Sequence, residues 1–192
     1  RSVDVTNVTL DYAAGAFTIP FLVGVAGHRD LLPEELPAIR AAVDDVLRAI
    51  RDAEADVPIQ LLSPMADGAD LLVADAASAL GLKVIALLPY GAAQCRADLH
   101  SDESREAFDR VLLRAEVLEM PRPPDVDQVQ LTGPGDLRDR QFLRAGTLIA
   151  RSSALLIAVW DGRDTDHLAG TARVVESRRR SVPTSANRDP GD

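Results

Sequence analysis

The sequence predicts an α/β fold: a Rossmann-like, doubly wound and mainly parallel sheet with helices on both faces. Short apolar runs alternate with longer segments of helical periodicity between residues 17 and 180. That alternation is the pattern of βα units, whose helices cover both faces of a parallel sheet. The apolar runs are near-continuous, as strands buried on two faces require. Each run also ends in a polar or glycine-containing loop, and open α/β sheets bind ligands beyond the carboxyl ends of their strands.

Residues 2–12 alternate weakly and read as an N-terminal edge segment, with Ala13-Ala14-Gly15 breaking the pattern. Residues 1–16 are therefore set apart from a single domain at 17–180, with a tail at 181–192. Phe17–Val25 is the first buried strand and runs into the loop Ala26-Gly27-His28-Arg29-Asp30. Pro33-Glu34-Glu35 opens a helix, because proline suits the first turn and acids suit the positive end of the helix dipole. Leu36, Ile39, Val43, Val46, Leu47 and Ile50 give it one apolar face over about 33–54.

Pro58–Ser63 is a second strand, and Pro64–Asp70 a turn into the helix Leu71–Leu80, with Gly81 fit to close it. Lys83–Leu88 is a third strand, stopped by Pro89-Tyr90-Gly91. Residues 94–114 are helical with a break near Ser101, and Ala115–Glu119 is a short fourth strand. The proline-rich stretch 121–135 is a loop, Asp136–Arg151 a helix, and Ser153–Trp160 the clearest strand. Asp161–Ala169 is a polar loop and Gly170–Arg180 the last helix. The tail from Ser181 is polar, carries two prolines, shows no strand or helix pattern and is expected to be disordered or truncated.

Composition narrows the function. The chain has 192 residues, 46% of them hydrophobic and 27% charged, with a net charge of −9. A chain of this size buries roughly 70% of its unfolded surface. The acidic balance makes nucleic acid and anionic membranes poor partners, because counterion release rewards clustered cations. Twenty of the 21 basic residues are arginine, the side chain suited to planar recognition of phosphate. No apolar run reaches the ~18 residues of a membrane span. Cys95 is the lone cysteine, so no internal disulfide or cysteine-based zinc site can form, and a reducing cytoplasm is the expected compartment. His28, His100 and His167 share no ligand spacing, and no metal is expected.

The candidate site residues follow from strand ends. Gly27 permits close backbone approach, Arg29 offers a two-point phosphate contact, and His28 stands beside them. Asp67-Gly68-Ala69-Asp70 opens a helix whose free N–H groups suit an anion; capping by Asp67 or Asp70 is the plainer role, and Asp70 also suits ribose hydroxyls. Pro89, Trp160, Asp161 and Gly162 lie at two further strand ends. Gly170 and Thr171 begin another helix, again suited to phosphate.

These loops, in this order, resemble the SLOG superfamily, which includes the Lonely Guy phosphoribohydrolases, molybdenum-cofactor-carrier-like proteins and the DNA-processing protein A fold. Val23–Asp30 is similar to the "GVTGHRD" opening of a bacterial branch of it, and Ser63–Asp70 to that branch's "SPLAEGAD" turn. Val84–Tyr90 resembles its third strand, and Ala158–Gly162 with Gly170-Thr171-Ala172 its "AVWDG…GGTA" ending. The likeness covers about residues 19–178 and implies a nucleotide or nucleotide-derived ligand, such as a nucleotide-sugar phosphate, held by a sensor-type domain. Lonely Guy enzymes place a catalytic glutamate in "PGGxGTxxE"; here Val174 holds that position, Glu176 is the nearest glutamate, and Ala169 replaces the branch's first glycine. Hydrolase chemistry is therefore not carried over, and catalytic residues stay unassigned. A nucleotide N-glycosidase is one alternative function, and a protein-interaction or DNA-processing accessory module another. Partners beyond the small ligand would be a second copy, through an open sheet edge, or an effector protein.

Overall fold

The computed structural model describes residues 19–124, 126, 135–163 and 170–181. The expected edge segment at 1–16, the tail from 182, and most of the loops at 121–135 and 161–169 lie outside them. Five parallel strands form one sheet: β1 (Phe21–Gly27), β2 (Ile59–Ser63), β3 (Lys83–Leu88), β4 (Glu116–Glu119) and β5 (Leu155–Val159). Their order is β4-β3-β2-β1-β5. The chain thus builds outward from β1 to β4 and then returns to pair β5 with the other side of β1. That reversal puts the topological switch point, the favoured ligand crevice, at the carboxyl ends of β1 and β5.

Among the described residues six helices cover the sheet: α1 (Leu36–Ala53), α2 (Ala69–Ala79), α3 (Ala92–Ala97), α4 (Asp102–Leu112), α5 (Asp136–Ser152) and α6 (Thr171–Ser181). The alternation of side chains sorts them into two layers. Val23, Val25, Leu61, Val84, Ala86 and Leu88 join the core of α1 and α2. Their neighbours Leu22, Leu62, Ile85 and Leu87 face α5 instead, with Ala145 and Ile149. Along each strand successive residues point to opposite faces, so one continuous apolar run serves both cores.

Helix boundaries follow local chemistry. Ser101 is the break expected within 94–114: its side chain accepts from the Ser104 N–H and caps α4. Gly81 closes α2 with φ +77°, while the N–H groups of Gly81 and Leu82 donate to Ser78 and Ala77. These two bonds form the Schellman motif. Several boundaries differ from expectation, β5 for one starting at Leu155 rather than Ser153. The first strand starts at Phe21 and continues through Gly27, since its pairing with β5 runs to Val159. Residues 33–35 form a turn ahead of α1. Helix α2 starts two residues early, at Ala69, because Gly68 reverses the chain with φ +77°.

Candidate functional site

The loops after β1, β2 and β5 meet at the switch point together with the start of α6. Arg29, half-buried just past β1, lays its guanidinium over the Phe142 ring of α5, 4.1 Å from the centroid. This stacking fixes a long side chain that would otherwise wander in solvent. Arg138 flanks the same ring at 5.1 Å. Arg29 lines a cavity of about 40 Å³ with Gly27, Asp70, Phe142, Thr171 and Val174, among others. A water needs roughly 10–15 Å³, so the cavity admits a small polar group and not a whole nucleotide.

Asp70 is the unusual member. It sits in the first turn of α2, 6% exposed, and its Oδ1 has no hydrogen-bond partner among the described residues. Burial pushes its carboxyl up to about 8, against the pull of the Arg29 charge and of a hydrogen bond from the Gly27 backbone. Desolvation wins because one nearby cation cannot replace the water a fully buried carboxylate loses. Asp70 is therefore a neutral acid at pH 7, not a helix cap, and α2 has no side-chain cap at all.

Asp67 also has a different task from the one expected. Its carboxylate accepts from the His100 N–H and lies against His100 Nδ1, each at 2.8 Å, and accepts from Ser104 Oγ at 2.7 Å. Burial raises its pKa, but these bonds and one from Gly68 N–H outweigh burial and hold the carboxyl below its usual range. Asp67 thus ties the β2 loop to the start of α4. Ser63 pins the other end of that loop: its Oγ donates to the Asp70 carbonyl at 3.1 Å and accepts from Met65 N–H at 3.0 Å. The bonds hold Met65 at φ +57°, a strained angle for a side-chain-bearing residue.

Two glycines serve packing where the sequence suggested ligand room. A Cβ on Gly68 would overlap the carbonyls of Arg29 and His28, and one on Gly27 would overlap Ala69. Ala69 N–H donates to the His28 carbonyl at 2.9 Å and Leu71 N–H to Ala66 at 3.1 Å. The N-terminus of α2 has therefore spent these donors within the fold. Its close seat against the β1 loop orients Arg29 instead.

On the outer side of the crevice, His28 Nε2 lies 3.1 Å from Asp161 Oδ1, joining the β1 and β5 loops. The Arg163 N–H bonds Asp161 Oδ1 at 2.9 Å. That bond and then His28 hold the Asp161 carboxyl below its usual range. Trp160 Nε1 donates to the Arg163 carbonyl at 2.9 Å. Gly162 has φ +83°, which closes this turn. Thr171 is buried at the first position of α6, directly after Gly170.

Pro89 lies apart and is structural: its carbonyl accepts from Gln141 Nε2 at 3.0 Å. Beside it is a cluster the sequence reading missed. Arg138 Nε donates to Tyr90 Oη at 3.1 Å and to Asp98 Oδ2 at 3.0 Å, and Tyr90 donates to Asp98. Burial and the Asp98 bond push the Tyr90 hydroxyl upward. Tyr90 also meets Phe142 edge to face, at 5.6 Å between centroids. The signal available was Phe142, an aromatic on the α5 stripe, with Arg138 one turn before it.

Val174, at the Lonely Guy glutamate position, is 5% exposed and packs against Gly146 of α5. Glu176 is not among the residues that line the cavity and pairs with Arg180 at 2.9 Å. No group of three or more potential metal ligands occurs among the described residues. Nor is any of their helices long and apolar enough to cross a membrane.

Fold and crevice together define a Rossmann-like α/β domain with the loops after β1, β2 and β5 gathered at one switch point. Solved structures of DNA processing protein A share this architecture. The protein from Streptococcus pneumoniae superposes with a TM-score of 0.54 at 17% identity, over 84% of this chain and 47% of that one. The protein from Helicobacter pylori, whose structure describes its single-stranded DNA binding mode, gives 0.54 at 13% identity, over 84% of this chain and 62% of that one. The chain therefore has a DNA processing protein A-like fold and spans about half to three-fifths of those proteins. No family model and no curated protein matches it.

Proposed function

We infer that the chain is a binding domain for a nucleotide or nucleotide-derived ligand, held at the carboxyl ends of β1 and β5. The observation that carries this reading is the convergence of Arg29 and the start of α6 on one cavity at the switch point. Arg29 is pre-oriented by Phe142. A helix N-terminus adds N–H donors and a partial positive charge. Both features suit a phosphate, with the rest of the ligand lying outward against Trp160 and the His28–Asp161 pair. Thermal unfolding in the presence of AMP, ADP-ribose, NAD and cyclic nucleotides tests this. A ligand at 100 times its dissociation constant stabilises the fold by about 2.7 kcal/mol. A selective shift that Arg29→Ala removes supports the site; no shift with any nucleotide refutes it. Recovery of a chemically altered ligand would replace binding by hydrolysis.

A second reading, a DNA-processing accessory module, is favoured by the shared fold and by one surface feature. An open groove of about 840 Å³ between α5 and α6 is lined by Arg151, Arg173 and Arg180. Arg151 and Arg173 make no ion pair with described residues. The groove reverses locally the net charge that argued against nucleic acid. Binding of single-stranded DNA that weakens steeply with salt and is lost in the Arg151→Ala/Arg173→Ala double variant would establish it. Binding that survives both would remove the groove from consideration.

A further inference from the structure

The reading above leaves a question of chemistry: what does a buried, unpartnered acid do in a pocket built for an anion? Each of the other two polar side chains on the cavity wall, Arg29 and Thr171, can offer hydrogen. Arg29 has only donors. Thr171 brings a hydroxyl, and it stands at the donor end of α6. The Gly27 N–H donates to the Asp70 carboxyl; Asp70 lines the cavity, and its buried Oδ1 is left without a partner. A carboxylate there would place a second anion against the first. A carboxylic acid would instead add one more donor.

We propose that Asp70 binds ligand as a neutral acid, its Oδ1 hydroxyl donating to a phosphate oxygen that Arg29 and the N-terminus of α6 also hold. The proposal rests on the nucleotide reading for its ligand and goes beyond it in assigning the proton. The cavity of about 40 Å³ takes the oxygen edge of a phosphate, with the remainder outside. Arg29 is the one other charged side chain on this wall among the described residues. The neighbouring acids Asp67 and Asp161 are engaged by His100 with Ser104 and by His28 with Arg163. They have no part in the proton balance of the cavity. A protonation requirement follows: with Asp70 near 8, ligand affinity is highest below that pH and falls above it. Its loss is up to tenfold per pH unit until the pKa of the complex is reached.

The test is the affinity of AMP, inorganic phosphate and adenosine measured by calorimetry between pH 7.5 and 9.5, for the wild-type chain and for Asp70→Asn. Monoester phosphate is already doubly ionised across this window. The expected result is an AMP affinity that falls with pH in the wild type and stays flat in Asp70→Asn, whose amide N–H keeps the donor. If AMP binds and the two pH profiles coincide, the acid role is overturned while the nucleotide site stands. If inorganic phosphate shows the profile and neither AMP nor adenosine binds, the acid role stands and the nucleotide reading falls. Binding of none of the three at any pH overturns both. Should Asp70→Asn fail to fold, a carboxyl carbon NMR titration of wild-type Asp70 decides. A midpoint that rises on saturation with phosphate supports the proposal, and one that falls overturns it.

Discussion

Replacing Asp70 by asparagine should stabilise the free protein, and by an amount that grows with pH. The unfolded carboxyl titrates at 3.8 and the folded one at about 8. Between those values the folded state holds a proton that the unfolded state has released. The stability that Asp70 contributes is therefore complete below pH 4 and is lost as pH rises through 8. Each pH unit costs about 1.4 kcal/mol, so the whole window costs on the order of 5 kcal/mol. Asparagine has no such proton to lose. At pH 7 the variant gains about 3.2 units' worth, roughly 4 kcal/mol, less about 1 kcal/mol for an amide group left short of a partner. At pH 4.5 the two proteins should lie within about 1 kcal/mol of each other. Urea unfolding at pH 4.5, 6 and 7.5, followed by Trp160 fluorescence and by circular dichroism, reads the difference directly. Asp67 and Asp161 titrate alike in both proteins and cancel. An asparagine variant less stable than wild type at pH 7.5, or a gap that does not change with pH, would refute the assignment of a buried neutral acid.

The remaining expectations concern the loops that present the site. Gly68→Ala places a Cβ into the His28 and Arg29 carbonyls at a positive φ, and should cost about 2–4 kcal/mol in urea unfolding while abolishing nucleotide-induced stabilisation. Ser63→Ala leaves the buried Met65 N–H and Asp70 carbonyl without a side-chain partner, and should lower stability by about 1–3 kcal/mol. Arg29→Lys keeps the charge but loses the planar contact with Phe142, and should weaken phosphate-bearing ligands severalfold with little change in unfolding midpoint. An unchanged affinity would show that the stacking does not orient the cation.

Much of the fold was legible because its signals are local. Largely apolar runs marked every strand but the short, exposed β4, and Ser101 and Gly81 marked a helix start and a helix end through bonds made within a few residues. Strand ends also led to Arg29 and Thr171, which line one cavity, since parallel topology brings such ends together. What the sequence could not carry was the distance between loops. Gly27 and Gly68 looked like room for a ligand, yet each makes room for another stretch of backbone or helix. Asp67 looked like a cap, and its partners besides Gly68 lie more than thirty residues away in the chain. Asp70 had one readable sign. Helix α2 is apolar almost all round, so an acid in its first turn has no wet face to occupy. The Arg138–Asp98–Tyr90 cluster joins three separate elements and leaves no pattern in any one of them.

The most direct measurement is a map of backbone amide shifts in a ¹⁵N-labelled chain as AMP is added. A nucleotide held at the switch point should move the amides of residues 27–30, 160–162 and 170–172 together, with one saturation curve. Shifts confined to the outer face of α5 and α6, or none at saturating AMP, would contradict it.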